Sequence, residues 1–127
     1  VDRSLKRLVR SFGHAFRGLP EGFRGQQNIY LHLLAAGAVL GLAFWLRLDE
    51  IRLAILLFVI LAVVSSEFLN SAMERLLDRI HPGRDAEIGR IKDLLAATVL
   101  INAVFAAATG LLILVPPLVR RIRSLIG

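Results

Sequence analysis

The chain has 127 residues, 56% of them hydrophobic, with a mean hydropathy of +0.66, a formal charge of +6 and no cysteine. The apolar residues gather into long blocks and do not recur at the spacing of a soluble core, so the class is membrane protein, and disulfide or thiolate chemistry is excluded. The arginines flank apolar spans and form no continuous polyanion surface, which argues against nucleic acid as a partner and fits anionic lipid headgroups.

Residues 2–19 read as an amphipathic helix lying in the membrane interface. Leu5, Leu8, Val9, Phe12, Phe16 and Leu19 recur every three or four positions, with Arg3, Lys6, Arg7, Arg10 and Arg17 largely between them. A surface helix capping a bundle is a compatible alternative. Residues 1–28 contain no apolar centre of signal-peptide type, so no cleavable signal is predicted. Gly18, Pro20, Gly22 and Gly25 then predict a bend from Leu19 to Gln27.

The first span is predicted over 28–46, just long enough to cross about 30 Å of hydrocarbon, with Trp45 at its far boundary. Gly37 and Gly41 form a GxxxG pair suited to a close helix neighbour. His32 reads as a packing or snorkelling residue, because no second histidine stands three or four positions away to support a metal site. The polar link 47–52 is short enough to make the first two spans an antiparallel hairpin.

A second span over 53–74 continues as the helix that carries an acidic row, and 80–92 form a longer loop broken at Pro82–Gly83, with Asp85 and Glu87 starting a short helix. The third span is predicted over 94–118, closed by Pro116 and Pro117, since proline is tolerated at a helix end but not in its middle. Ala103, Ala107 and Gly110 make that span approachable. Eleven of the sixteen lysines and arginines lie in the amino-terminal region or in 75–92. That bias places both regions in the cytoplasm, although the basic carboxyl tail runs against it.

The most informative stretch is 66–80, SEFLNSAMERLLDRI, where apolar sequence turns into a line of carboxylates. At 100° per residue Glu67, Asn70, Glu74 and Asp78 fall within an arc of roughly 80°. Acidic groups in one row at a hydrocarbon boundary are costly unless they have partners. With Lys92 and Asp93 at the start of the third span, and Arg17 and Arg24 as contributors from the amino-terminal side, they form an oxygen-rich environment. Such a site suits Mg²⁺, which takes one or two carboxylates plus phosphate oxygens.

Phosphoryl transfer needs that ion, cationic groups and a carboxylate to deprotonate an acceptor hydroxyl. Glu67, deepest in the membrane, is the candidate base for a lipid hydroxyl; Glu74 is better placed for metal, and Asp78 with Lys92 and Asp93 for nucleotide. The phosphate loop and the motifs of soluble protein kinases are absent from the sequence. The competing reading is a boundary salt-bridge layer, in which the acids pair with Arg75, Arg79, Arg84 and Arg90 in a structural or transport subunit.

The run Glu67 to Glu74, followed by Asp78–Arg79, Gly89–Arg90, Lys92–Asp93 and AAxVLI at 96–101, resembles the small prokaryotic diacylglycerol kinase family, which includes undecaprenol kinases of Gram-positive type. HAFRGL at 14–19 and HLLAA at 32–36 resemble the Gram-positive branch, and the resemblance covers 8–118. It implies an all-α integral membrane fold over 1–127, with three membrane helices and an amphipathic amino-terminal helix, assembled as a homotrimer with shared active sites.

The implied reaction is Mg-ATP-dependent phosphorylation of a lipid alcohol, diacylglycerol to phosphatidic acid, with undecaprenol as the alternative acceptor. Glu67 is then similar to the catalytic base, with Asn70 beside it; Glu74 to a metal-coordinating residue; Asp78, Lys92 and Asp93 to nucleotide-binding residues. The chain departs from the family pattern at Gln26, where a second metal-coordinating glutamate is expected. An amide offers Mg²⁺ an oxygen but no charge, which implies weaker metal binding.

Overall fold

The computed structural model describes residues 2–24 and 27–127. Within them the chain forms helices α1 (Arg3–Phe23), α2 (Gln27–Trp45), α3 (Glu50–Ile80) and α4 (Ala86–Ile126). Three of these, α2, α3 and α4, are long and apolar enough to cross a membrane. At 1.5 Å per residue α3 is about 46 Å long and α4 about 61 Å, so both outrun a hydrocarbon core of about 30 Å.

The α2–α3 hairpin is closed by local hydrogen bonds. Arg47 N–H donates to Phe44 O and Leu48 N–H to Ala43 O, both at 3.1 Å, while Arg47 adopts φ 54°. This is the Schellman arrangement, with an arginine in the left-handed position that glycine usually occupies. Asp49 then caps α3, its carboxylate accepting from Arg52 N–H at 3.0 Å. Beside this turn sits the apolar core of Ala43, Leu56 and Leu114, with Val39, Leu42, Leu46, Leu48, Leu53 and Ile113 packed against it. Large apolar side chains elsewhere, among them Leu34, Phe58, Phe105 and Leu112, are exposed. A Cβ at Gly37 or Gly41 would meet nothing within 4 Å, so the GxxxG pair makes no close helix contact among the described residues.

Several helix ends differ from the sequence expectation. The predicted bend begins at Leu19, yet α1 continues through Pro20 to Phe23. Tertiary contacts hold that last turn. Arg75 of α3 donates to Glu21 O at 3.0 Å and to Arg24 O at 3.1 Å, satisfying carbonyls that a helix end leaves without partners. Arg75 also pairs with the Glu21 carboxylate at 3.2 Å. Phe68 of α3 packs against Gly22, and its ring meets that of Phe23 edge-on at 5.1 Å.

At the other terminus, α4 does not stop at Pro116 and Pro117 but runs on to Ile126. Each proline lacks the N–H for its backward bond, yet its fixed φ is compatible with a helix. The segment beyond is tied to α2, where the Arg121 guanidinium lies 5.6 Å from the Trp45 ring centroid. The short helix expected after Asp85 is the first part of α4 itself, with Asp85 as cap accepting from Glu87 and Ile88 N–H at 2.9 and 3.0 Å.

Candidate active site

The acidic row lies on α3, and its most apolar-side member is buried. Glu67 is 1% exposed, and Asn70 and Ser71 are also buried. Ser71 turns its hydroxyl back to its own helix, donating to Glu67 O at 2.8 Å. Glu67, Asn70 and Glu74 line a cavity of about 310 Å³ between α2, α3 and α4. Asn28 and His32 of α2 close one side, and Ala96, Val99, Leu100 and Ala103 of α4 form the other. The small side chains of α4 leave room for the polar groups of α3.

His32 Nε2 stands 3.2 Å from Glu67 Oε1. The approach is within ion-pair distance but not aligned as a hydrogen bond, so Glu67 Oε1, like Asn70 Oδ1, is a buried oxygen without a hydrogen-bond partner. Buried oxygens in that condition are unusual and mark a place built to receive a donor or a cation. The sequence alone reads His32 as a packing or snorkelling residue, whereas its ring faces the Glu67 carboxylate. The usable signal was the i, i+4 pair Asn28 and His32, two polar residues on one face of an otherwise apolar span.

Further toward the α3–α4 link, Lys92 Nζ donates to Asp78 Oδ1 at 2.5 Å. The two expected nucleotide-binding groups therefore meet across the helices and satisfy one another. Asp93 is exposed next to Lys92. Arg17 lies on α1, with its guanidinium 2.8 Å from His14 Nδ1. Gln26 lies outside the described residues. Of the arginines proposed for a salt-bridge layer, Arg75 goes to α1, and Arg90 pairs with Glu87 on its own helix at 3.2 Å.

The sequence pattern of the prokaryotic diacylglycerol kinase family matches residues 13–114, which contain this whole cavity. The chain belongs to that family. Among similar proteins, the undecaprenol kinase of Bacillus subtilis is 37% identical over 114 residues, covering 90% of this chain and 93% of the relative. The diacylglycerol kinase of Synechocystis is 34% identical over 112 residues, covering 87% of this chain and 64% of the relative. That of Escherichia coli is 30% identical over 108 residues, covering 85% and 88%. Each is a kinase by name, which leaves the structural or transport subunit without support.

As a prokaryotic diacylglycerol kinase family member, the chain presents a donor set of the hard-oxygen kind. Among the described residues no group of three or more histidine and acidic side chains converges as an all-protein metal cage. Mg²⁺ does not need one, since it is commonly held by one or two carboxylates together with substrate phosphates. The Glu74 carboxylate, with the unpartnered Asn70 Oδ1 lining the same cavity, fits that requirement.

Proposed function

We propose that this kinase transfers the γ-phosphoryl group of ATP, with Mg²⁺, to the primary hydroxyl of a membrane lipid, with Glu67 as general base. The observation that carries the reading is the placement of Glu67, a carboxylate 1% exposed on a membrane-length helix, at the wall of a cavity that also holds Asn70 and Glu74. In the step, the acceptor O–H bond breaks and its proton passes to Glu67. The acceptor oxygen bonds to the γ-phosphorus as the bond from that phosphorus to the ADP oxygen breaks. Burial keeps water from competing for the phosphoryl group.

Asn70, one turn from Glu67, orients groups in the same cavity. Glu74 would hold Mg²⁺, which when bound supplies charge neutralisation for the phosphates. Lys92, Asp78 and Asp93 bind nucleotide, the Lys92–Asp78 pair opening so that the ammonium faces phosphate. Arg17 contributes a further positive group from α1, and Gln26 is the residue that the family resemblance aligns with a second metal position.

Diacylglycerol and undecaprenol are the acceptors the family points to. Family membership and the Synechocystis and Escherichia coli relatives support diacylglycerol; the higher identity to the Bacillus subtilis undecaprenol kinase favours the polyprenol. The exposed apolar faces of α2, α3 and α4 call for cover by lipid or by copies of the chain, and the family resemblance is what points to a homotrimer with shared sites. α1, carrying Leu5, Leu8, Phe12 and Phe16 exposed, lies along the interface on the cytoplasmic side, where ATP is available.

The test is phosphate transfer from ATP to diacylglycerol and to undecaprenol, side by side in mixed micelles across a Mg²⁺ series. Transfer that depends on Mg²⁺ and is lost in Glu67→Gln is expected, and the better acceptor names the pathway. No transfer to either lipid at high Mg²⁺ refutes the assignment.

A further inference from the structure

The contact between His32 and Glu67 joins α2 to the acidic row of α3. The Glu67 side chain is 2% exposed and that of His32 27% exposed, with Nε2 to Oε1 at 3.2 Å. A buried carboxylate oxygen without a donor is costly, and the imidazole is the group at hand to supply one. We propose that His32 is a positioning residue for phosphoryl transfer: from 3.2 Å a small turn of the ring aligns its Nε2–H on Glu67 Oε1, holding that oxygen and leaving the second carboxylate oxygen to take the proton of the acceptor. The inference rests on the reading of Glu67 as the base.

The fold supports this geometry. Ile29, one turn before His32 on α2, is fully buried. That anchor sets the rotation of α2, because a shift of one residue would turn His32 about 100° away from α3. His32 also stands where two spaces meet. It lines the polar cavity with Glu67, Asn70 and Glu74, and it lines the adjoining apolar groove of about 290 Å³ with Ala35, Val63 and Ala107. A ring that served packing alone would gain nothing from turning a nitrogen toward the carboxylate. Here it joins the apolar groove to the base.

A carboxylate is free to swing about its side-chain torsions unless one oxygen is held. Holding Oε1 from α2 confines those torsions without occupying the oxygen that reacts, and alignment of this kind is a recognised source of rate. The role is electrostatic and orientational, and it predicts a particular kinetic signature. Turnover falls when the N–H is removed, while binding of both substrates stays as it was.

The test compares wild type, Glu67→Gln, His32→Leu, His32→Asn and His32→Gln in the mixed-micelle assay, with kcat and the KM for ATP and for lipid determined separately. His32→Leu is expected to lower kcat about ten- to a hundredfold, the range for losing a hydrogen bond to a charged group, with both KM values unchanged. His32→Gln, whose amide nitrogen reaches as far as Nε2, recovers the larger part of that loss, and the shorter His32→Asn does not. Wild-type kcat in His32→Leu, equal losses in the Gln and Asn variants, or a loss confined to the lipid KM would overturn the inference. If His32→Leu does not assemble, the Gln and Asn comparison decides alone. An inactive wild type sinks the proposed function, and an active Glu67→Gln sinks the base assignment; either result removes this role for His32 with it.

Discussion

Gly22 is the position where a single methyl group tests how α1 is held. A Cβ there would come within 2.5 Å of the Phe68 ring, closer than carbon atoms approach. In Gly22→Ala either the ring swings aside or α1 lifts from α3. Swinging aside forfeits the edge-on pair with Phe23, a loss of about 0.5–1.5 kcal/mol, and overpacking of this kind costs about 1–3 kcal/mol. Alanine returns roughly 1 kcal/mol through better helix propensity. The net is a weakening of α1 docking by roughly 0.5–3.5 kcal/mol, which lowers the docking equilibrium about 2- to 400-fold. Hydrogen–deuterium exchange in detergent reads it directly: amides of residues 16–23 should lose protection, while those of α4 remain as in wild type. The double variant Gly22→Ala/Phe68→Ala should remove the clash, so its loss of protection should fall short of the sum of the two single variants. Unchanged exchange in α1 for the single variant would refute the account of how that helix is seated.

Further perturbations follow from other features. Gln26→Glu restores a charge at the expected second metal position and should raise activity or lower the Mg²⁺ concentration for half-maximal rate; an unaltered Mg²⁺ titration would mean that this side chain takes no part in metal binding. Asp85 is held below its ordinary value of 3.8 chiefly by the Ile88 N–H and then by that of Glu87. Because the folded value is the lower one, its capping contribution is complete above pH 3.8 and is lost as pH falls through the folded value. Exchange at the first turn of α4 should rise over that acid range in wild type, and Asp85→Asn should flatten the response. Arg47→Gly relieves a left-handed residue that costs about 1–2 kcal/mol, offset by the greater freedom of glycine in the unfolded chain, about 0.5–1 kcal/mol. Thermal unfolding in detergent should therefore move up slightly, and a clear drop would show that the arginine side chain stabilises the turn.

The all-helical class and the three membrane-length helices were legible from the chain because a long apolar run is a local property. So was the acidic row, since Glu67, Asn70, Glu74 and Asp78 share one face of a single helix whatever surrounds it. Helix ends were less legible. Proline and glycine at 20, 22, 116 and 117 signal termination locally, but Arg75 on the carbonyls of Glu21 and Arg24, and Arg121 over Trp45, act from distant parts of the chain.

The site shows the same division. Periodicity assigns each residue to a face of its own helix, through backbone geometry that every sequence obeys. It does not say which faces meet, because that depends on how side chains of different sizes fill the space between helices. The alanines of α4 leave a cavity, buried Ile29 sets the rotation of α2, and His32 thereby reaches Glu67 while Lys92 reaches Asp78. By itself the sequence determined the helices and the carboxylates they carry. Only the packing decided which group each carboxylate faces.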